Sequence, residues 1–276
     1  MSNDLQKKSN IFNNFVWFYL FAAALLWIKT YIVQLTQFNL GVESALQQFL
    51  LFLNPLGSAL LFLGLAAFFK GRRKYAALVS IHSLLSLLLY SNVVYYRSFT
   101  DFITLPTITQ VRNFGDLGGS ILALMEPYDI LMFLDVILIV SLIAFKFVKI
   151  DLTNLNKRKV AALLFFALGI SSTNLAIAET DRPELLTRGF DRNYIVKYLG
   201  MYNYTIYDMV QSTKASAQRV MADSNDVIEV VNFTKSNYAE PNPKYFGIGE
   251  GMNVIYIHLE SIQEFLIGYE LLGEEV

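Results

Sequence analysis

Apolar residues along this chain fall into five long runs, roughly 12–33, 46–69, 75–95, 128–148 and 159–178, with polar stretches between them. An α-helix needs about 20 mostly apolar residues to cross the hydrocarbon layer of a bilayer, and each run meets that length. The pattern therefore predicts five transmembrane helices. Beyond residue 179 it changes: Tyr194, Tyr198, Tyr202, Tyr204 and Tyr207 crowd among charged residues, which predicts short helices resting along the membrane–water boundary. A polar, partly helical linker follows and ends on the breakers Pro241, Pro243, Gly247, Gly249 and Gly251. The stretch NVIYIHLES, Asn253 to Ser261, then reads as a buried strand of a parallel sheet, with Ser261 as cap of a helix IQEFLIGYE. Three parts follow from this pattern: a five-helix membrane domain at 1–178, a juxtamembrane connector at 179–250, and the start of an α/β domain at 251–276.

Charge adds a direction. The connections KGRRK (Lys70, Arg72, Arg73, Lys74) and KFVKIDLTNLNKRK (Lys146 to Lys159) are basic, whereas QLTQFNLGVES carries no positive charge and the segment from Ser91 to Tyr128 has only Arg97 and Arg112. The positive-inside bias places the N-terminus in the cytoplasm and everything after the fifth span outside. The polar start MSNDLQKKSN leads into an anchor rather than a cleaved signal peptide. Apolar residues make up 54% of the chain and the net charge is −1, which fits a membrane protein and announces no nucleic-acid surface. The absence of cysteine excludes disulfides and thiolate metal sites. No internal repeat of the kind secondary transporters carry is present.

Ionisable residues within a span are costly and call for a partner or a role. Lys29 in the first span and Asp135 in the fourth lie at similar depth, so they either pair or separately snorkel and find other polar groups. His82 reads as a hydrogen-bonded packing residue. In the long connection, Arg97 and Arg112 either fork onto a lipid phosphate or ion-pair within a loop lying on the span ends. Glu260, at the carboxyl end of the expected strand, is placed either as an oxygen ligand to a divalent cation or as a solvated or capping residue. Small residues around Ala215, Ala217, Val220 and Ala222 match the pattern a signal peptidase reads, displaced far from the N-terminus.

The five spans, the segments DFITLP and GDLGGS, the connector RPELLTRGFDRNY, the segment EPNPKYFG and the final NVIYIHLESIQEFLIGYELLGEEV together resemble the amino-terminal portion of the lipoteichoic acid synthase family. These are membrane-anchored phosphoglycerol transferases of Gram-positive bacteria with an extracellular domain similar to alkaline phosphatases and sulfatases. The resemblance implies transfer of glycerol phosphate from phosphatidylglycerol to a polyglycerolphosphate chain on a glycolipid anchor, through a threonine intermediate and a divalent metal, manganese on the family's pattern. It maps the first metal-binding glutamate onto Glu260 and a signal peptidase cut onto Ala222/Asp223. The family's threonine follows the motif that reads GEEV here, and this chain stops at Val276. Without that nucleophile and the later Asp and His ligands, the expectation is that these residues alone do not turn over. The alternative is a non-catalytic five-span anchor or partner-binding scaffold.

Overall fold

The computed structural model describes residues 12, 14–109, 124–153, 155–187, 189, 191–221, 224–253, 255, 256, 258, 270, 271, 274 and 275. Five helical stretches are long and apolar enough to span a membrane: Phe15–Thr36, Ala45–Phe68, Arg72–Phe99, Pro127–Ala144 and Lys157–Asp181. The chain is a multi-pass membrane protein. Helix α1 (Phe15–Thr36) begins where the Asn14 side chain accepts from Trp17 N, and α2 (Ala45–Gly64) where Ser44 accepts from Gln47 N. Each cap satisfies an otherwise orphaned first-turn donor. Helix α2 runs on as a 3-10 turn to Phe68, and α3 (Arg72–Phe99) stops where Thr100 adopts a left-handed conformation. A short helix α4 (Leu105–Thr109) follows.

The fourth span is composite: a 3-10 helix at Pro127–Phe133 leads into α5 (Leu134–Ala144). Helix α6 (Lys157–Asp181) completes the five. Helices α2 and α6 pack closely because α2 offers glycine at the contact. A β-carbon on Gly57 would come 2.7 Å from Ser171 Oγ, and one on Gly64 2.9 Å from Leu164 Cδ2. In a bilayer, where no water drives apolar faces together, small residues that admit close backbone approach hold helices to one another.

At the end of the bundle bearing Lys70–Lys74, Phe12 pairs by a single parallel bridge with Val148. Lys74 is fully buried there, donating to Thr153 O at 2.7 Å with its ammonium over the Phe15 ring. The opposite end carries the connector: α7 (Arg192–Leu199) and α8 (Met201–Met221). Three of its five tyrosines turn inward, onto the bundle. Tyr198, Tyr202 and Tyr204 are each 1% exposed, seated in the same hydrophobic core as the spanning helices. Their rings fill the bundle; the Tyr198 hydroxyl donates to Asp181 and the Tyr202 hydroxyl to Leu85 O, while that of Tyr204 is buried without a partner.

The chain divides into two compact units, 1–220 and 221–276. The second contains α9 (Ser224–Ser236), a run of turns over 243–251 and a two-residue antiparallel ladder pairing Glu270 with Glu275 and Leu271 with Glu274. The stretch from Asn253 differs from its expected buried strand: Ile255 is 84% and Tyr256 82% exposed, and neither is in a ladder. A parallel strand is buried only between partner strands, and none flanks it among the described residues. Glu260, Ser261 and the helix expected after them lie outside the described residues.

Candidate functional site

Two polar clamps hold the fourth span at the connector end of the bundle. In the first, Lys29 on α1 donates to Asp135 Oδ1 at 2.8 Å, to Ser86 Oγ on α3 at 2.6 Å and to Met132 O at 3.1 Å. All three ammonium protons are thus used. The second oxygen of Asp135 receives His82 Nε2 from α3 at 2.7 Å, and Ser86 Oγ donates back to His82 O. His82 Nδ1 is buried without a partner. That arrangement suits the tautomer in which Nε2 carries the proton, because an unpaired N–H at Nδ1 would cost more than an unpaired lone pair.

In the second clamp, the Arg97 guanidinium forks onto Asp129, with distances of 2.9 Å to Oδ2 and 2.7 Å to Oδ1, and also reaches Leu124 O and Gln37 Oε1. Asp129 accepts from Glu126 N as well, within a reciprocal capping box that starts the 3-10 helix at Pro127. Arg97 therefore directs its forked geometry at an internal carboxylate. Arg112, its companion in the sequence reading, lies outside the described residues.

Between the clamps, α1 and the fourth span diverge and leave a cleft of about 520 Å³. Ile28, Ile32, Leu134 and Leu138 form its apolar walls; Gln37, Arg97 and Tyr128 sit at its outer rim and Lys29 with Asp135 at its floor. A volume in this range is typical of small-molecule sites. Lys29 lies seven residues before the end of α1, so the floor is about 10 Å below the rim along the helix axis.

The connector closes the same end. Asp191 caps α7 by accepting from Asn193 N and Tyr194 N. At its other end the carbonyls point into the bundle and are met there: Asn54 of α2 donates to Lys197 O at 3.4 Å, and Asn174 of α6 to Tyr198 O at 2.6 Å. Gly200 turns the chain at φ +81 against Asn54. Tyr202 then donates to Leu85 O of α3 and meets Thr30 of α1, while Tyr96 reaches Asn193 and Lys197 donates to Gly41 O. Burial pushes the Lys197 ammonium below its ordinary range, and the Tyr198 and Tyr204 phenols above theirs. Arg192 pairs with Asp101, and Asp208 accepts from Leu105 N at 2.6 Å, tying the connector to the α3–α4 turn. A second, polar cavity of about 490 Å³ lies beside this tie, lined among others by Arg192, Tyr207, Asp208 and Lys214.

The chain matches the family model described as the lipoteichoic acid synthase N-terminal domain over residues 1–221. The chain belongs to that family. It is 51% identical to lipoteichoic acid synthase 2 of Bacillus subtilis strain 168 over 260 residues, and 46% identical to lipoteichoic acid synthase 1 of the same strain over 259. With lipoteichoic acid synthase of Staphylococcus aureus strain USA300 the identity is 40% over 259 residues. Each alignment covers 94% of this chain and 40% of the relative, so the chain spans well under half the length of the synthases it matches. No solved structure matches.

Of the residues singled out from sequence, Lys29 and Asp135 are brought together, Arg97 is placed against Asp129, and Arg112, Ala222, Asp223 and Glu260 lie outside the described residues. Among the described residues no three His, Asp or Glu side chains converge as a cation site, so no described donor set fits the metal the family implies. The sequence reading missed Asp129, and it missed Asn54 and Asn174. All three are polar side chains within apolar runs, and that placement was itself the signal.

Proposed function

We propose that this chain is the membrane-anchoring part of a phosphoglycerol transferase of the lipoteichoic acid synthase type. The carrying observation is that identity of 40–51% to named synthases covers 94% of the chain, running through all five spans and beyond residue 221, where the family's N-terminal domain ends. On this reading the connector end faces outward, and α7 with the start of α8 is a plug that fixes where the chain leaves the membrane. A fixed exit keeps a following catalytic domain near the surface where lipid headgroups lie.

The reaction belongs to the whole protein, of which the chain spans a part. The bond between phosphorus and the diacylglycerol oxygen of phosphatidylglycerol breaks, with a threonine hydroxyl as first acceptor. The glycerol phosphate then passes to the terminal hydroxyl of a growing polyglycerolphosphate chain on its glycolipid, and the proton goes to the released diacylglycerol. A divalent cation, manganese on the family's pattern and with Glu260 as one ligand, would neutralise phosphate charge during the transfer. On this reading Ala222/Asp223 follow the point where the chain leaves the membrane, on the side where a signal peptidase would cut.

The test is to read the source gene through the codon for Val276, express the full open frame in phospholipid nanodiscs, and follow diacylglycerol release from phosphatidylglycerol. Release that requires added divalent cation is the expected result. An intact frame with a downstream domain but no release would overturn the transferase reading in favour of a non-catalytic anchor.

A further inference from the structure

We propose that the cleft between α1 and the fourth span is a lateral binding site for one diacyl phospholipid. Its phosphodiester would sit at the Gln37–Arg97–Tyr128 rim and one acyl chain along Ile28, Ile32, Leu134 and Leu138. The inference goes beyond the transferase reading and does not depend on it, because it concerns occupancy of a membrane cleft and requires no turnover.

The walls argue for an acyl chain. Ile28, Ile32, Leu134 and Leu138 are between 41% and 53% exposed and line a cleft that opens sideways from the bundle at the depth of the spans. Within a bilayer such a mouth meets hydrocarbon, and the occupant must be apolar along its length. The floor excludes the opposite orientation. Every ammonium proton of Lys29 and both oxygens of Asp135 are already engaged, so the deep end has no donor to offer a headgroup.

The rim is built differently. Gln37 gives its carbonyl oxygen to Arg97, which turns its amide NH₂ the other way. Arg97 stacks its guanidinium 5.5 Å from the Tyr128 ring centroid, bringing the Tyr128 hydroxyl to the same rim. Four of the guanidinium's hydrogen bonds are internal, and one of its five N–H groups remains beyond them. Gln37, Tyr128 and Arg97, which line this end of the cleft, bring an amide, a phenol and a guanidinium together, a donor-rich set that suits phosphate oxygens. Donors above and branched aliphatics below match the polarity profile of a phospholipid.

The experiment uses the full chain in nanodiscs doped with a phosphatidylglycerol analogue carrying a diazirine on one acyl chain. After irradiation, labelled residues are mapped by mass spectrometry. Labelling is expected to concentrate on α1 near Ile28–Ile32 and on α5 near Leu134–Leu138. Filling the cleft with Ile32→Trp should lower it about tenfold, whereas Phe165→Trp, on a lipid-facing position of α6, should leave it unchanged. Ile28→Phe serves as the second cleft variant should Ile32→Trp not elute as a folded species. Uniform labelling of exposed positions on α5 and α6, insensitive to the cleft variants, would mean annular lipid only and overturn the site. Competition by diacylglycerol as effective as by the phospholipid would overturn the rim contact.

Discussion

Lys29 and Asp135 lie 106 residues apart in the chain and meet at 2.8 Å through Asp135 Oδ1 within the membrane-spanning bundle, with His82 on the other carboxylate oxygen. The fourth span is otherwise weakly held: only 11% of its apolar window is buried, and its outward leucines and isoleucines face lipid. Its attachment to α1 and α3 is therefore polar to an unusual degree. An ion pair of this kind is sensitive to the loss of one member, because the survivor is left charged in an apolar setting.

Removing one partner should accordingly cost far more than removing both. Lys29→Met or Asp135→Leu alone is expected to destabilise the fold by about 3–5 kcal/mol, and the double variant by much less. Equilibrium unfolding in mixed micelles, run as a double-mutant cycle, measures the difference. Equal and additive losses would show that the pair does not couple.

At Arg97 the geometry matters beyond the charge. Arg97→Lys keeps the cation but loses the two-pronged contact with Asp129 and the stack on Tyr128. The expected cost is about 1.5–3 kcal/mol, the range for hydrogen bonds to charged groups. A lowered thermal midpoint in detergent, with unchanged helix content at low temperature, checks it.

The plug hinges on Gly200. Its φ of +81 belongs to a region that favours glycine, and a β-carbon there would lie 2.5 Å from Asn54 Oδ1. Gly200→Ala should unseat α7 at a cost of about 1–3 kcal/mol. Faster trypsin cleavage after Lys197, which is 3% exposed in the seated helix, is the readout.

Asp151, in the loop between the fourth and fifth spans, accepts from both the hydroxyl and the N–H of Thr153, and these bonds hold its carboxyl below the usual range. With the folded value depressed, its contribution is full above the unfolded carboxylate value of about 3.9 and is lost as pH falls through the folded value. Asp151→Asn should therefore flatten the acid limb of a melting profile and leave the neutral plateau's slope unchanged. Thermal melts across the acid range test this.

Hydropathy by itself determined the five spans, because crossing a bilayer demands long apolar helices and few other sequences satisfy that. Their bounds moved by only a few residues, as when the third run, 75–95, became Arg72–Phe99. The depth match of Lys29 and Asp135 could also be read along the chain, since helical rise converts position into depth. Tertiary structure alone decided their second partner: His82 reaches Asp135 because α3 lies beside α5, and adjacency between helices leaves no mark on linear spacing. The connector was decided the same way. Five tyrosines among charges look like a boundary segment, but Asn54 and Asn174 present donors inside the bundle to the carbonyl end of α7, so that helix can be buried without orphaning its backbone. Composition records how polar a segment is; only packing records which polar groups wait inside to receive it.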